Sequence, residues 1–200
     1  MENMTGANEK IRKKGLLFIF EGYCEFEIAP AISMLRNSHE LYTFSVEKNP
    51  CRSEAGLMTM PDMSVDEVDP MEFDLLIIPG GDLGPIAKAD ALFELVGKFG
   101  AFNKITAAIC SGVFVLARAG LLKDTPYTIT LSKEQRLFLD CFDEELFSYR
   151  PVVSKGNVLT AQGHAYVEFG IALNKMVKEI SCEKEDFYRG KGNVFMEQVQ

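Results

Sequence analysis

The chain has 200 residues, 47% of them hydrophobic and 25% charged, and a formal net charge of −8 at pH 7. This suffices for one globular domain with a sizeable core, and no Pro/Gly/Ser-rich linker or repeat divides the chain. A net acidic chain lacks the basic face that displaces phosphate counterions, which argues against nucleic-acid binding. The longest apolar stretch, "ITAAICSGVFVLARAGLL", is broken by Arg118 and does not suit a membrane span.

In chain order, "EKIRKKG" (9–15) reads as a solvated tail before the first strand. Residues 16–20, Leu-Leu-Phe-Ile-Phe, are a continuous apolar run, as expected of a strand covered on both faces. Glu21 ends that run too soon for the core of a secretory signal, so the protein is expected to be soluble and cytoplasmic. Ile28, Ala31, Ile32 and Leu35 fall at helical spacing and predict a helix from about Glu25, with Pro30 in its early part. "LYTFSV" (41–46) alternates as a second strand, and "LMTMPDMSVDEV" (57–68) contains an edge strand stopped by Pro61.

"FDLLIIPGG" (73–81) is a further apolar strand running into a Gly-rich turn, followed by helical spacing over 90–103. "ITAAI" (105–109) then reads as a strand and "SGVFVLARAGLL" as a helix with Gly120 at its C-terminal cap. "YTITL" (127–131) is strand-like, and Ser132 with Gln135 has the form of a capping box. A late strand lies within 157–163, and an amphipathic helix spans 165–180. The domain is expected over 15–180, between a tail (1–14) and a C-terminal extension (181–200) that reads as loosely packed. Apolar strands alternating with amphipathic helices predict a mostly parallel sheet with helices on both faces, and reactive groups beyond the carboxyl ends of its strands.

The five cysteines, at 24, 51, 110, 141 and 182, are scattered, form no CxxC, and suit reduced thiols. With only His39 and His164, no zinc-ligand spacing exists, and neither metal nor organic cofactor is expected. A free cysteine is ordinarily a small buried apolar residue. Cys110 departs from that by standing between a strand and a helix, flanked at two positions either side by Ala108 and Gly112. That is the small–x–nucleophile–x–small form of a nucleophile elbow. A helix N-terminus there favours thiolate and predicts a lowered thiol pKa. Early in the first helix Glu25 and Glu27 both qualify as a proton-shuttling carboxyl, and their neighbours do not separate them. In "PGGDLG" the pair Gly80 and Gly81 exposes backbone amides, so that Gly81 and Ser111 N–H are candidate donors to a developing oxyanion. His164 stands at another strand end and is a candidate cleft residue.

"GYCEFE", "DLLIIPGGDLG", "AAICSG" and "GLL" resemble the ThiJ/PfpI superfamily, over about residues 15–178. The resemblance implies a flavodoxin-like three-layer α/β/α sandwich, usually homodimeric. It places the nucleophile on Cys110, the acidic partner on Glu27 rather than Glu25, and the backbone donors on Gly81 and Ser111. Many members carry a histidine where Thr130 stands here, which tells against peptidase or amidase activity; His164 is the candidate replacement. The implied function is glyoxalase, deglycase or hydratase-like chemistry on a small electrophilic carbonyl. The alternatives are a cysteine-based oxidative-stress sensor and a binding scaffold with a vestigial site.

Overall fold

A computed structural model of the protein describes residues 13–177 and 181–191. Its centre is a seven-stranded sheet in the order β5-β2-β1-β6-β7-β9-β8. The strands are β1 (Lys13–Phe18), β2 (His39–Ser45), β5 (Met63–Ser64), β6 (Leu75–Ile78), β7 (Ile105–Ile109), β8 (Val152–Lys155) and β9 (Val158–Ala161). β3 (Cys51–Arg52) and β4 (Met58–Thr59) form a separate small antiparallel hairpin. All pairings in the main sheet are parallel except β8 with β9.

The helices are α1 (Glu25–Leu35), α2 (Asp90–Ala101), α3 (Val113–Arg118), α4 (Lys133–Leu139), α5 (Tyr166–Val177) and α6 (Cys182–Tyr188). The chain leaves β1 in one direction, to β2, and leaves β6 in the other, to β7. Right-handed crossovers therefore put α1 and α2 on opposite faces. α5 packs on α1 and α3 packs on α2, which completes the three layers. Leu16, Leu17, Phe18 and all of Leu75–Ile78 are buried, as strands covered on both sides must be. α1 and α5 approach closely because Gly170 has no side chain: a Cβ there would lie 3.0 Å from Ala31 N.

Four expectations need correction. Lys13, Lys14 and Gly15, read as part of a solvated tail, open β1 and pair with His39, Glu40 and Leu41 of β2. Residues 127–131 form no strand, only an isolated bridge between Tyr127 and Phe147. Side chains replace the ladder there: Thr128 N–H donates to Thr160 Oγ1 at 3.1 Å, and Gln162 Nε2 donates to Ile129 O at 2.9 Å. The 57–68 segment is divided by Pro61 between two sheets, with Met58–Thr59 in the hairpin and Met63–Ser64 at the edge beside β2. Residues 182–188, read as part of a loose tail, form a helix capped by Ser181 and bonded to α1 through Tyr188 and Ser33 hydroxyls 2.9 Å apart. The edge strand β8 had no prediction. By contrast, Ser132 and Gln135 make the capping box, with Gln135 N–H donating to Ser132 Oγ and Ser132 N–H to Gln135 Oε1.

Candidate active site

The carboxyl ends of β1, β6, β7 and β9 open onto one place, next to the point where the strand order reverses between β1 and β6. Each end contributes one element. Glu27 comes from the first turn of α1 after β1, Gly80 follows β6, Cys110 follows β7, and Gly163 follows β9.

Cys110 begins a short 3-10 turn that leads into α3, and its φ is +57°, in the left-handed region. A side chain in this region costs on the order of 1–2 kcal/mol, and the fold holds it there. Ala108 is fully buried in β7, and at Gly112 a Cβ would lie 2.1 Å from Pro79 O. Only a glycine lets α3 start so close to the end of β6. The elbow thus arises from close passage of two elements, and it leaves the Cys110 side chain half-buried.

Glu27 is 1% exposed, and its Oε2 accepts from Gly80 N–H at 2.8 Å. Its carboxyl stands beside the Cys110 thiol. Two glycines make room for the pair. A Cβ on Gly80 would lie 2.6 Å from Glu27 Oε2 and 3.0 Å from Cys110 Sγ. A Cβ on Gly163 would lie 2.7 Å from Glu27 Oε1 and 2.9 Å from Cys110 Sγ. Glu25, the other early carboxylate, is only half-buried and takes no part in these contacts.

Burial pushes both acids up. It raises Glu27 above the usual carboxylate range, opposed by its bonds to Cys110 and Gly80. Desolvation, followed by the negative charge of an ionised Glu27, pushes the Cys110 thiol up to about 12. The lowered thiol pKa expected from a helix N-terminus is therefore overturned: desolvation of the sulfur raises it first, and the charge of an ionised Glu27 adds to that. Neither acid ionises cheaply beside the other, and the two titrate as a coupled pair. The Glu27 carboxyl is the more deeply buried of the two, whereas the sulfur is partly exposed and is eased towards thiolate by the Ser111 N–H.

Gly81 and Ser111 meet, though with their bonds turned inward. Gly81 N–H donates to Ser111 Oγ at 2.9 Å, and Ser111 Oγ donates to Gly81 O at 2.8 Å. The Gly81 amide is thus directed at a hydroxyl, and the Ser111 amide is the one that faces the sulfur. Thr130 lies next to Cys110 across Gly163, whose N–H its hydroxyl accepts at 2.8 Å. His164 is exposed and makes no side-chain hydrogen bond among the described residues; its neighbour Gly163 is what stands against Cys110.

Four residues at the site had no sequence prediction. Cys24 caps α1 without a side-chain capping bond; its N–H donates to Gly80 O at 2.9 Å and its Sγ to Glu54 Oε2 at 3.4 Å. Burial and the charge of Glu27 hold the Cys24 thiol protonated. Glu54 reaches this place from the β3–β4 hairpin. Gly163 and Gln162 lie at the end of β9, where the sequence "TAQG" matches "PGG" in placing glycine directly after a strand. Nothing local marks the other three. Among the described residues no group of three or more His, Cys, Asp or Glu is placed to hold a metal ion.

The model of the DJ-1/PfpI family matches residues 13–176. The deglycase TK1284 of Thermococcus kodakarensis is 31% identical over 121 residues, which are 60% of this chain and 73% of that protein. A Bacillus subtilis protein named uncharacterized protease YoaZ is 27% identical over 82% of each chain. Among solved structures, the DJ-1 superfamily protein Atu0886 from Agrobacterium tumefaciens superposes with a TM-score of 0.80 at 26% identity, over 94% of this chain and all of its own.

Proposed function

The chain belongs to the DJ-1/PfpI family, and on that premise we propose that it is a cysteine-dependent enzyme of the glyoxalase or deglycase kind, acting on small electrophilic carbonyl compounds. The single observation that carries the reading is the close approach of a strained, half-buried cysteine and a fully buried carboxyl. The deglycase name of the Thermococcus relative supports the substrate class.

In this reading Cys110 Sγ adds as thiolate to the aldehyde carbon of an α-oxoaldehyde, forming a C–S bond. The carbonyl electron pair moves to oxygen, which takes the proton of Glu27. The Glu27 carboxylate then carries the C–H proton to the neighbouring carbon while hydroxyl and carbonyl exchange places. The product is a thioester, which water cleaves to a 2-hydroxy acid and the original cysteine. The Ser111 amide is the donor assigned to negative charge on oxygen, and Gly81 supports it by holding the Ser111 hydroxyl. Peptide hydrolysis is not favoured, despite the name of the Bacillus relative, because Thr130 supplies a hydroxyl where a basic imidazole would be required.

We also place the protein in the cytoplasm, which its scattered cysteines, suited to reduced thiols, favour, and, on the family resemblance, as a homodimer. Among the described residues no helix is long and apolar enough to cross a membrane. Light scattering is expected to give twice the chain mass of 22.3 kDa, and a single-chain mass would reject the dimer.

The deciding experiment is turnover of methylglyoxal to lactate by the purified protein and by C110A and E27Q. Loss in both variants is the expected outcome, and undiminished turnover by C110A would overturn the reading. Absent turnover, with stable addition of oxygen to Cys110 after mild peroxide, would point to the stress-sensor alternative.

A further inference from the structure

Beside Cys110 lies a buried set of hydrogen bonds that the chemistry above leaves unused. Gln162, 3% exposed, directs its amide nitrogen away from the site: Nε2 donates to Ile129 O at 2.9 Å and to Thr128 Oγ1 at 2.6 Å. A backbone carbonyl only accepts, so Ile129 O decides which end of this amide is the nitrogen. Gln162 Oε1 is thereby left facing Thr130, whose hydroxyl donates to it at 3.0 Å. Gly163 N–H already donates to the same hydroxyl oxygen. Thr130 has one hydrogen, and it is held by Gln162. Yet Thr130 also stands beside Cys110: the glycine whose N–H it accepts, Gly163, is the one whose Cβ would lie 2.9 Å from Cys110 Sγ, and that hydrogen, turned to the sulfur, would favour the thiolate.

We propose that Gln162 is a positioning residue for Cys110: it competes with the sulfur for the single hydroxyl hydrogen of Thr130 and so sets how readily the cysteine becomes a nucleophile. At rest the hydrogen points to Gln162 Oε1. As negative charge develops on sulfur the hydroxyl rotates to it, and the bond to Gln162 is given up. The inference rests on Cys110 being the reactive thiol, as in the proposed function, but not on any substrate. Glu27 and Cys24 face Cys110 from α1, and Glu54 faces both of those from the β3–β4 hairpin. None of the three is altered in the variants below.

The test is iodoacetamide labelling of Cys110 across a pH series, read by mass spectrometry of the peptide that contains it. Q162L is expected to lower the midpoint by about one pH unit, or roughly tenfold more thiolate at a given pH, the effect of freeing one hydrogen bond to a charged group. T130S, which keeps the hydroxyl, should retain the midpoint of the unaltered protein. In a T130V background the Q162L change should produce no shift, because the relay is gone. An unchanged or raised midpoint in Q162L would overturn the proposal, as would a shift that persists in T130V. Should Q162L fail to fold, Q162M removes the same acceptor oxygen at similar length and reads the same quantity. Methylglyoxal turnover, measured separately, distinguishes the two ideas: C110A with full activity would sink the enzyme while leaving the labelling shift intact.

Discussion

The amide of Gly80 donates to Glu27 Oε2 at 2.8 Å across 53 positions of sequence. This bond joins the end of β6 to the first turn of α1 and fixes the carboxyl beside Cys110. Its other oxygen stands where a Gly163 side chain would begin. A carboxyl so enclosed faces Cys110, and in the proposed reaction it serves the adduct formed there. Replacing it with an amide is expected to lower methylglyoxal turnover by about 10²–10⁴-fold, the usual worth of a general acid–base. A smaller loss in steady-state kinetics of E27Q would remove Glu27 from the chemistry.

The same residue makes stability depend on pH. Its folded pKa lies above its unfolded value, because burial disfavours the charge. The folded state therefore binds more protons, and stability is lost as pH rises from the unfolded pKa, about 4.3, through the raised folded one. E27Q has no such loss. Thermal melts should show the variant gaining on the unaltered protein as pH increases, and a constant difference would show that Glu27 titrates normally.

Two glycine substitutions should behave in opposite ways. G163A places its Cβ against Glu27 Oε1 and Cys110 Sγ, which are side-chain atoms. It should fold and lose turnover by tenfold or more, since an ångström of displacement at reacting groups costs about that much or more. G112A places its Cβ 2.1 Å from Pro79 O, a backbone atom of the adjacent turn. It should lose at least about 1–3 kcal/mol of stability, the range for overpacking. Denaturant unfolding of both variants distinguishes site from scaffold.

The left-handed backbone at Cys110 predicts a trade between stability and function. C110G should be more stable than C110A by about 1 kcal/mol, since glycine accepts a φ of +57° that alanine does not. Neither variant should turn over substrate. Equal unfolding free energies for the two would show that the elbow holds no strain.

Arg136 offers a test remote from the site. It is 5% exposed, donates from Nε and Nη2 to the two Glu144 carboxylate oxygens at 2.7 Å each and from Nη1 to Leu131 O at 2.8 Å, and lies 3.7 Å over the Phe147 ring. E144A would leave a buried guanidinium without its counter-charge. The expected cost is about 2–3 kcal/mol, at or below the usual range for a broken buried pair because Glu144 is partly solvated. Glu144 itself sits below the usual carboxylate range because of Arg136. The stability it contributes is therefore present above its unfolded pKa and fades as pH falls through the folded one. An unchanged melting temperature in E144A at neutral pH would contradict this account.

Local rules reached far along this chain. The apolar run at 16–20 announced a strand covered on both faces and the run at 73–81 a further apolar strand; the strands form as Lys13–Phe18 and Leu75–Ile78, with Leu16, Leu17, Phe18 and all of Leu75–Ile78 buried. Ser132 and Gln135 announced a helix start that the hydrogen bonds reproduce. The same reasoning failed at 127–131, where β-like composition forms an extended segment served by the side chains of Thr160 and Gln162. Those partners lie more than 30 positions away. No window of sequence contains them.

By itself the amino-acid order determined the alternation of strands and helices, and with it the layering and the placing of reactive groups at strand ends, because periodicity and capping act within a few residues. It also marked Cys110 as a residue at a strand–helix junction. Which early glutamate is buried, which glycines line the thiol, and that Gln162 holds Thr130 were decided only when strand order and register brought four loop regions to one point. Glu25 and Glu27 share a helical turn and nearly the same neighbours, yet only one side faces the Gly80 amide. That choice belongs to the sheet, whose spacing sets which side chains meet across it.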